Sequence, residues 1–597
     1  MNIGVIDTGV NLLHKDLADK NINCFVLTEG KRVRLKGNSD LIGHGTAVCG
    51  ILAAMNPQAQ ITVYKAFTNT DEVSEDEFIS IMEYIRDNEE FDLLNLSLGI
   101  SASQEISKLI AICEQIQYKG TLIIAAFNNY NSATYPAAFP NVIGVDWDIE
   151  CKKNRDFIIC ENSMVNVYAK GINQKLCWSP NTDYIVNAGA SFAAAHVTAF
   201  LASSHDNIST LDYNAAMAII KKNAIKIISS KKNESRVFPC LNRVAIFPFN
   251  KEIASITNYS DLLCCDISGV YNIKQLGNVG ESTIKYSHRK KYSGNYVIQN
   301  IEGISSHANS FETLVVGHLS EINRLVHKDY TRYCIDFCLK NKKAMLSFDT
   351  IPEFELQQFK ERDIICYNMN LNNHSFDICE KLRIIGKPII TVIGTSSKQG
   401  KFSLQLELRR KFIEEGYKVG QWSSEPQGFL FGINQVFPLG YGSNLNYKEK
   451  EIIHLINNQL YQIETLDCDI IISGTQSHTI SEKLYNARMY PSLQNAVLAA
   501  LQPDALILVV NAYDADEYIL RTINYAQAVA NSKVICLALS FKKVQSSWSP
   551  LELNEGLLTQ EEIIYYAERI MSLTNVPCFG IDEIDKIVSC LINYLEE

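Results

Sequence analysis

Ile3-Gly-Val-Ile-Asp-Thr-Gly-Val10, Gly43-His-Gly-Thr-Ala-Val-Cys-Gly-Ile-Leu52 and Asn187-Ala-Gly-Ala-Ser-Phe-Ala-Ala-Ala-His-Val197 are the stretches that decide the first third of this chain. In the first, the apolar run Ile3 to Ile6 reads as a short buried strand that hands Asp7 to a Thr8-Gly9 turn, placing a carboxylate at the carboxyl end of a strand, where open α/β sheets build their sites. The second sets His44 between two glycines at the start of a small-residue apolar helix. The third sets Ser191 at the start of another, whose amino-terminal dipole favours negative charge developing nearby. A serine hydroxyl is a poor nucleophile at neutral pH. A histidine must take its proton, and a buried carboxylate must hold the imidazole's tautomer and stabilise the cation that forms. Singly, each motif is ordinary: Asp-Thr-Gly is a common turn, Gly-His-Gly a common loop, and Gly-x-Ser a common helix cap. In the order Asp, His, Ser, the three supply an orienting acid, a base and a nucleophile.

This order, with its flanking strand and helix patterns, resembles the subtilisin-like serine proteases and differs from the orders used by other serine hydrolases. The family's serine segment usually reads Gly-Thr-Ser-Met-Ala, often followed by Pro-His. Ala190, Phe192 and Ala195 stand in place of its Thr, Met and Pro, and none of these exchanges removes a catalytic group. The resemblance implies that Ser191 attacks, that His44 acts as base and then acid, and that Asp7 orients His44. Thr121-Leu-Ile-Ile-Ala-Ala-Phe-Asn128-Asn129 is similar to the family's Ala-Ala-Gly-Asn segment, which implies Asn128 as the side-chain donor to the oxyanion, although Phe127 stands where the family usually has Gly. Leu93-Leu-Asn-Leu-Ser97-Leu98-Gly99 resembles the strand that pairs with substrate backbone, so Ser97, Leu98 and Gly99 are the expected substrate-binding residues.

Composition limits the remainder. At 597 residues the chain exceeds one hydrophobic core, and 47% hydrophobic with 20% charged residues is ordinary for folded protein. A net charge of −11, with no cluster of Lys and Arg interleaved with aromatics, argues against nucleic acid as a partner. The longest apolar runs are of strand length, which argues against a membrane. The chain enters its first expected strand at once, leaving no room for a secretion signal or an amino-terminal inhibitory propeptide, and this reads as a cytoplasmic protein. Its 17 cysteines lie mostly inside apolar runs, in keeping with reduced thiols. Cys334 and Cys338 lack a second ligand pair at zinc spacing, so no metal site is expected.

After the Ser191 helix a polar passage from Lys221 to Glu234 leads to a new strand at Arg243, which sets a boundary near residue 240. Strand-like and helix-like runs then alternate, with strands expected at 243–249, 262–265, 313–318, 344–348 and 364–367 and a helix at 329–340, as in a small Rossmann-like layer. At Ile389 a further unit begins: strand, Gly394-Thr-Ser-Ser-Lys-Gln-Gly400-Lys401-Phe402-Ser403, then a helix from Leu404 to Glu414. Strand, glycine-rich loop, lysine and helix form a phosphate-binding grammar, in which Gly394, Gly400 and Lys401 cradle phosphate and Ser403 replaces the usual magnesium-binding hydroxyl. The loop is one residue wider than Walker A and resembles the dethiobiotin-synthetase type. On the expected neighbouring strand, Ser473-Gly474 stands where related enzymes have Glu-Gly, and Asp469 lies at the wrong end; the alternative is a scaffold that kept the fold and lost the chemistry. Together, the segments from about residue 243 resemble two-domain Rossmann plus P-loop proteins related to D-amino-acid N-acetyltransferases, and a clostridial peptide-maturation family.

These readings give an α/β chain of three parts: a subtilisin-like protease domain at 1–240, a Rossmann-like domain at 241–385 and a P-loop domain at 386–597. The expected activity is serine endopeptidase, with no cofactor required for proteolysis and a nucleotide or phosphate at the P-loop. The resemblance implies a ribosomally made precursor peptide as substrate and partner, with the carboxy-terminal part recognising the peptide or restraining the protease. The alternatives are a P-loop enzyme with a self-processing protease domain and a non-catalytic peptide-binding scaffold.

Overall fold

The computed structural model describes residues 1–66, 73–129, 132–204, 211–229, 241–250, 253–287, 289, 293–368, 381–437, 447–482, 491–543 and 556–596. It divides into two compact units, and the division is not the one the sequence suggests. Met1–Asn233 are joined by Ser375–Gly386 in the first unit, while Glu234–His374 and Lys387–Glu597 form the second. The Rossmann-like and P-loop parts therefore belong to one unit. The boundary expected near residue 240 falls outside the described residues, and the one expected at 385 and 386 lies one residue before the segment Ser375–Gly386 ends.

Among the described residues, twelve strands belong to the first unit. They are β1 (Asn2–Asp7), β2 (Ile22–Thr28), β3 (Lys31–Leu35), β4 (Gln60–Lys65), β5 (Leu93–Leu96), β6 (Leu122–Ala126), β7 (Ile143–Trp147), β8 (Phe157–Glu161), β9 (Val167–Ala169), β10 (Gln174–Cys177), β11 (Tyr184–Asn187) and β12 (Ala224–Ser229). Ten form one sheet in the order β12-β8-β9-β7-β6-β5-β1-β4-β2-β3, and β10 and β11 pair as a separate ribbon. The central strands β2, β4, β1, β5, β6 and β7 are mutually parallel. They read as near-continuous apolar runs because both faces are covered. The chain reverses direction across the sheet at β1, which has β4 on one side and β5 on the other, so its carboxyl end is a topological switch point. Asp7 is the last residue of that strand.

Helices α1 (His44–Met55), α2 (Glu75–Asn88), α3 (Ile106–Tyr118), α4 (Ala190–Ser204) and α5 (Tyr213–Lys222) cover the sheet. The alanine-rich faces of α1 and α4 lie in the same apolar clusters as the strands, where Ala47, Ala195 and Ala199 meet Ile3, Val5 and Val63. Small side chains let these helices approach one another and the sheet closely. The polar passage expected from Lys221 to Glu234 holds a strand instead: β12 pairs in parallel with β8 at the sheet's edge, using Ile227 and Ile228 opposite Ile159 and Cys160.

In the second unit, β13 (Arg243–Phe247), β14 (Asp266–Asn272), β15 (Ile298–Asn300), β16 (Thr313–Val316), β17 (Ala344–Ser347) and β18 (Cys366–Asn368) form a parallel sheet in the order β15-β14-β13-β16-β17-β18. The run Leu262 to Cys265, expected as a strand, is not one. Leu262 ends a short 3-10 turn, and the strand register with β13 begins only at Asp266. A second parallel sheet runs β21-β20-β22-β19-β23-β24-β27, from β19 (Ile389–Gly394), β20 (Val419–Ser423), β21 (Gln435–Val436), β22 (Ile470–Gly474), β23 (Ala505–Val510), β24 (Lys533–Leu539) and β27 (Cys578–Gly580), with the short pair β25 (Lys542–Lys543) and β26 (Gly556–Leu557) beside it. The helix Lys401–Glu414 joins the parts of this unit. Phe402 and Leu406 pack with Val244, Ile246 and Phe348, and Arg289 pairs with Glu407 at 2.9 Å. Among the described residues no helix is long and apolar enough to cross a membrane.

Candidate active site

Asp7 and His44 meet above the carboxyl edge of the first sheet. His44 Nδ1 lies 2.7 Å from Asp7 Oδ1, which also accepts the Thr8 N–H at 2.8 Å. Asp7 is almost fully buried, whereas about a quarter of the His44 side chain is exposed. Burial pulls the His44 pKa down, but the Asp7 charge and hydrogen bond, helped by Asp40, outweigh it and leave the imidazole above its ordinary value. Phe192, the departure from Met, has its ring centroid 5.3 Å from that of His44 and packs against the imidazole.

A residue the sequence reading passed over holds this geometry. Asp40 is fully buried. Its Oδ1 accepts from Thr8 Oγ1, Ile42 N and Gly43 N at 2.8, 3.1 and 2.7 Å, and its Oδ2 accepts from Thr46 N and Thr46 Oγ1 at 2.8 and 2.7 Å. Thr8 in turn accepts the Gly45 N–H at 2.9 Å. One carboxylate thereby ties the Asp7 turn to the loop and first turn that carry His44. The signal available in sequence was an Asp four residues ahead of a Gly-flanked His. Gly43 takes φ 102° as the cap of α1, and a side chain there would collide with Trp178 and the Ser179 carbonyl.

Ser191 lies in the first turn of α4. Its hydroxyl donates to the Ser97 carbonyl at 2.9 Å, and among the described residues no hydrogen bond joins it to His44. Ser97 thus meets the nucleophile directly. Leu98 and Gly99 follow in partly exposed chain outside any strand or helix, and among the described residues their backbone groups make no main-chain hydrogen bonds. Beyond them Ile100 pairs with Tyr135 through bonds of 3.0 and 2.8 Å in each direction.

The oxyanion assignment needs correction. Both amide hydrogens of Asn128 are engaged, by Ser101 Oγ at 2.7 Å and Ser132 Oγ at 2.6 Å, and its backbone N–H goes to Thr134 Oγ1. Asn128 is therefore part of the loop's own bracing. Its neighbour Asn129 faces the serine turn: Asn129 Oδ1 accepts the Ala190 N–H at 3.3 Å, while its Nδ2 makes no hydrogen bond among the described residues and stands 3.8 Å from where a Gly189 side chain would begin. Aligning on Ala-Ala-x-Asn selected the first of two adjacent asparagines, and only the fold distinguishes them.

His196, in the helix after the serine, is buried; its Nε2 meets Gln174 Oε1 at 2.8 Å, and burial lowers its pKa to about 4, so it stays neutral. Cys334 and Cys338 are buried thiols whose pKa is raised by desolvation. One group the sequence reading did not collect, His14, Asp16 and Cys177, brings its ligand-type atoms within 4.8 Å of one another. It is held together by protein partners, with His14 Nε2 on the Asp183 carbonyl and Asp16 on the Tyr184 hydroxyl.

In the second unit, Gly394 ends β19, and Gly400, at φ 97°, caps the helix that starts at Lys401. That helix begins three residues earlier than expected. Lys401 is buried, its Nζ donates to the Ser396 carbonyl at 2.6 Å, and desolvation lowers its pKa to about 8 against the opposing Glu425 charge. The Ser396 N–H, which a phosphate-binding loop would offer outward, is taken by Gln399 Oε1 at 2.9 Å. The Ser403 side chain hydrogen-bonds Tyr259. Asp469 sits at the start of β22, accepting the Lys418 N–H, as its position implied. Asp514, beyond β23, does reach the loop, where it accepts from Thr395 Oγ1 and the Asn511 N–H.

Residues 1–243 match the Subtilase family, and residues 381–587 match a P-loop domain of unknown function, DUF1611_C. Subtilisin DY of Bacillus licheniformis is 27% identical over 213 residues, covering 33% of this chain and 73% of that protein. The major intracellular serine protease of Bacillus subtilis (strain 168) is 26% identical over 259 residues, covering 41% of this chain and 75% of that protein. Among solved structures, a DUF1611 family protein from Anabaena variabilis is similar over 59% of this chain and 99% of its own, with 13% identity and a TM-score of 0.44. The placement of Asp7, His44 and Ser191 agrees with the two family matches: residues 1–243 are a subtilisin-like serine endopeptidase domain, and residues 381–587 are a P-loop domain similar to DUF1611_C.

Proposed function

We propose that this protease cleaves a ribosomally made precursor peptide at a restricted site, removing its leader, and that the second unit selects or positions the peptide. The observation that carries the reading is the backbone of Leu98 and Gly99 beside Ser191, which makes no main-chain hydrogen bonds among the described residues. An extended peptide adds there as a strand, so main-chain hydrogen bonds bring its scissile carbonyl to the nucleophile. The resemblance of residues 243–597 to a peptide-maturation family supplies the substrate class, and the reduced cysteines suit a cytoplasmic setting.

In this mechanism Ser191 first leaves the Ser97 carbonyl by rotation about χ1 and turns to His44 Nε2. His44 takes the proton as Oγ attacks, and Asp7 stabilises the imidazolium. The Ser191 backbone N–H and Asn129 Nδ2 hold the oxyanion. His44 then protonates the leaving amine, and water admitted to the acyl-enzyme reverses the sequence.

The P-loop reading carries over as a proposal of phosphate or nucleotide binding. Gly394, Gly400 and the helix start at Lys401 would hold the phosphate, which would supply the counter-charge that buried Lys401 now takes from a carbonyl dipole. Gln399 would have to swing off the Ser396 N–H. With Ser403 on Tyr259, binding is favoured over hydrolysis.

Four outcomes follow from these assignments. A fluorophosphonate probe read by intact mass should label Ser191 and nothing in Ser191→Ala; Asn129→Ala should slow labelling by roughly a hundred- to a thousandfold, and Asn128→Ala much less, the reverse order restoring Asn128. The acid limb of the labelling rate should lie above pH 6.5, the ordinary imidazole value. In Asp7→Asn desolvation is opposed only by the lesser Asp40 charge, so the limb should move to lower pH while the plateau falls by about 10⁴; an unmoved limb would show that another group titrates. Mass analysis of a digested peptide library should return one narrow cleavage motif, and broad digestion would sink the leader-peptide reading. Calorimetry with magnesium-ATP should show binding that Lys401→Ala weakens at least tenfold without touching Ser191 labelling; equal affinity in the variant would remove the P-loop from the account.

A further inference from the structure

A short piece of chain from far beyond the catalytic serine is built into the protease unit. Lys381 is 3% exposed, and its Nζ lies 2.9 Å from Oδ2 of Asp146, itself 8% exposed, on β7. The same ammonium stands 5.4 Å from the centre of the Phe127 ring. Next, the Leu382 carbonyl accepts the Ala133 N–H at 2.8 Å, and Leu382 forms a parallel bridge with Ser132. The Arg383 guanidinium lies 5.9 Å from the centre of the Tyr135 ring, and the Gly386 carbonyl accepts from Gln104 Nε2 at 2.7 Å.

The residues touched are not scattered. Phe127 precedes the two asparagines. Ser132 holds the Asn128 amide, and Tyr135 pairs with Ile100, which continues the substrate strand from Gly99. The segment therefore grips the loop that presents Asn129 at both of its ends, and the far wall of the substrate strand as well. An ion pair this buried is a poor source of stability against an apolar pair of equal size, yet losing one partner strands a charge, so its best-attested use is to fix one arrangement.

We propose that Lys381 is a positioning residue for proteolysis. Paired with Asp146 and stacked on Phe127, and followed by the Leu382 bridge, it fixes the loop from which Asn129 reaches the oxyanion, so the protease is completed by chain lying beyond residue 380. The proposal rests on Asn129 as the oxyanion donor, and its test separates the two.

The test uses the full chain, with the second-order rate of fluorophosphonate labelling of Ser191 measured well below each variant's melting temperature. Lys381→Met should label at least tenfold more slowly while still folded, and Lys381→Arg, which keeps the charge, should recover most of the rate. Hydrogen exchange should quicken in peptides covering residues 122–139 and stay unchanged in α1. A folded Lys381→Met that labels at the wild-type rate overturns the proposal, as does one whose only change is a lower melting temperature. If Lys381→Met does not fold, Asp146→Asn carries the same expectation of slowed labelling in a folded protein, and a wild-type rate there overturns the proposal equally. Slowed labelling in the Lys381 variant beside an unaffected Asn129→Ala would retain the brace and reject Asn129 as the donor.

Discussion

The active site depends on one buried carboxylate that takes no part in the chemistry. Asp40 accepts five hydrogen bonds, from Thr8, Ile42, Gly43 and Thr46, with no exposure to solvent. Charge-assisted bonds of this kind contribute about 1.5–3 kcal/mol each, and an unsatisfied buried charge costs more. The alternatives to this arrangement are therefore expensive. Two loops that are distant in sequence, one ending β1 and one opening α1, are forced into one register. The 2.7 Å contact between Asp7 and His44 is a consequence of that register. Close packing enforces it from the other side, since any side chain at Gly45 would run into the Gly9 carbonyl and the Asp7 carboxylate.

Much of the protease unit was legible because each functional residue sits where two local signals change: an apolar strand ends at Asp7, and small-residue helices begin at His44 and Ser191. Such junctions are set by periodicity and turn chemistry, which a sequence displays. What it did not display were relations between distant segments. Asp40 is one more acid in a polar loop until its donors are in place. Asn128 and Asn129 are equivalent as text, and the fold separates them by sending one amide to Ser101 and Ser132 and leaving the other beside Gly189. In the second unit the order strand, loop and helix is legible, with the helix opening at Lys401 and not Leu404. The destination of Ser403 depended on Tyr259, more than a hundred residues earlier.

The same limit explains the domain boundaries. Counting strands and helices along the chain gives three successive parts, because a polar passage precedes residue 240 and a new strand-loop-helix unit opens at Ile389. Compactness follows contacts instead, and Lys381 with Leu382 makes its contacts with Asp146 and Ala133. The Rossmann-like sheet, conversely, shares its apolar face with Phe402 and Leu406 of the P-loop helix, so neither sheet buries that face alone. A chain in which the second unit is entered, left and entered again cannot be divided by cutting it twice.

The resting position of Ser191 bears on how such a protease is restrained. Its hydroxyl is bonded to the Ser97 carbonyl, so the proton that His44 must remove is already shared with a neutral acceptor. Turning to His44 exchanges one hydrogen bond for another across a staggered torsion, a step of small free-energy difference. In the proposed binding mode, a peptide strand laid along Leu98 and Gly99 shifts that balance by placing its scissile carbonyl beside the serine. Binding energy from the extended part of the substrate then goes into aligning the reacting atoms, where it raises the rate and not merely the occupancy. A short or poorly extended peptide makes few of those main-chain bonds and leaves the serine where it rests. Selectivity for an extended segment is thus a property of the strand edge itself, before any side-chain pocket is considered.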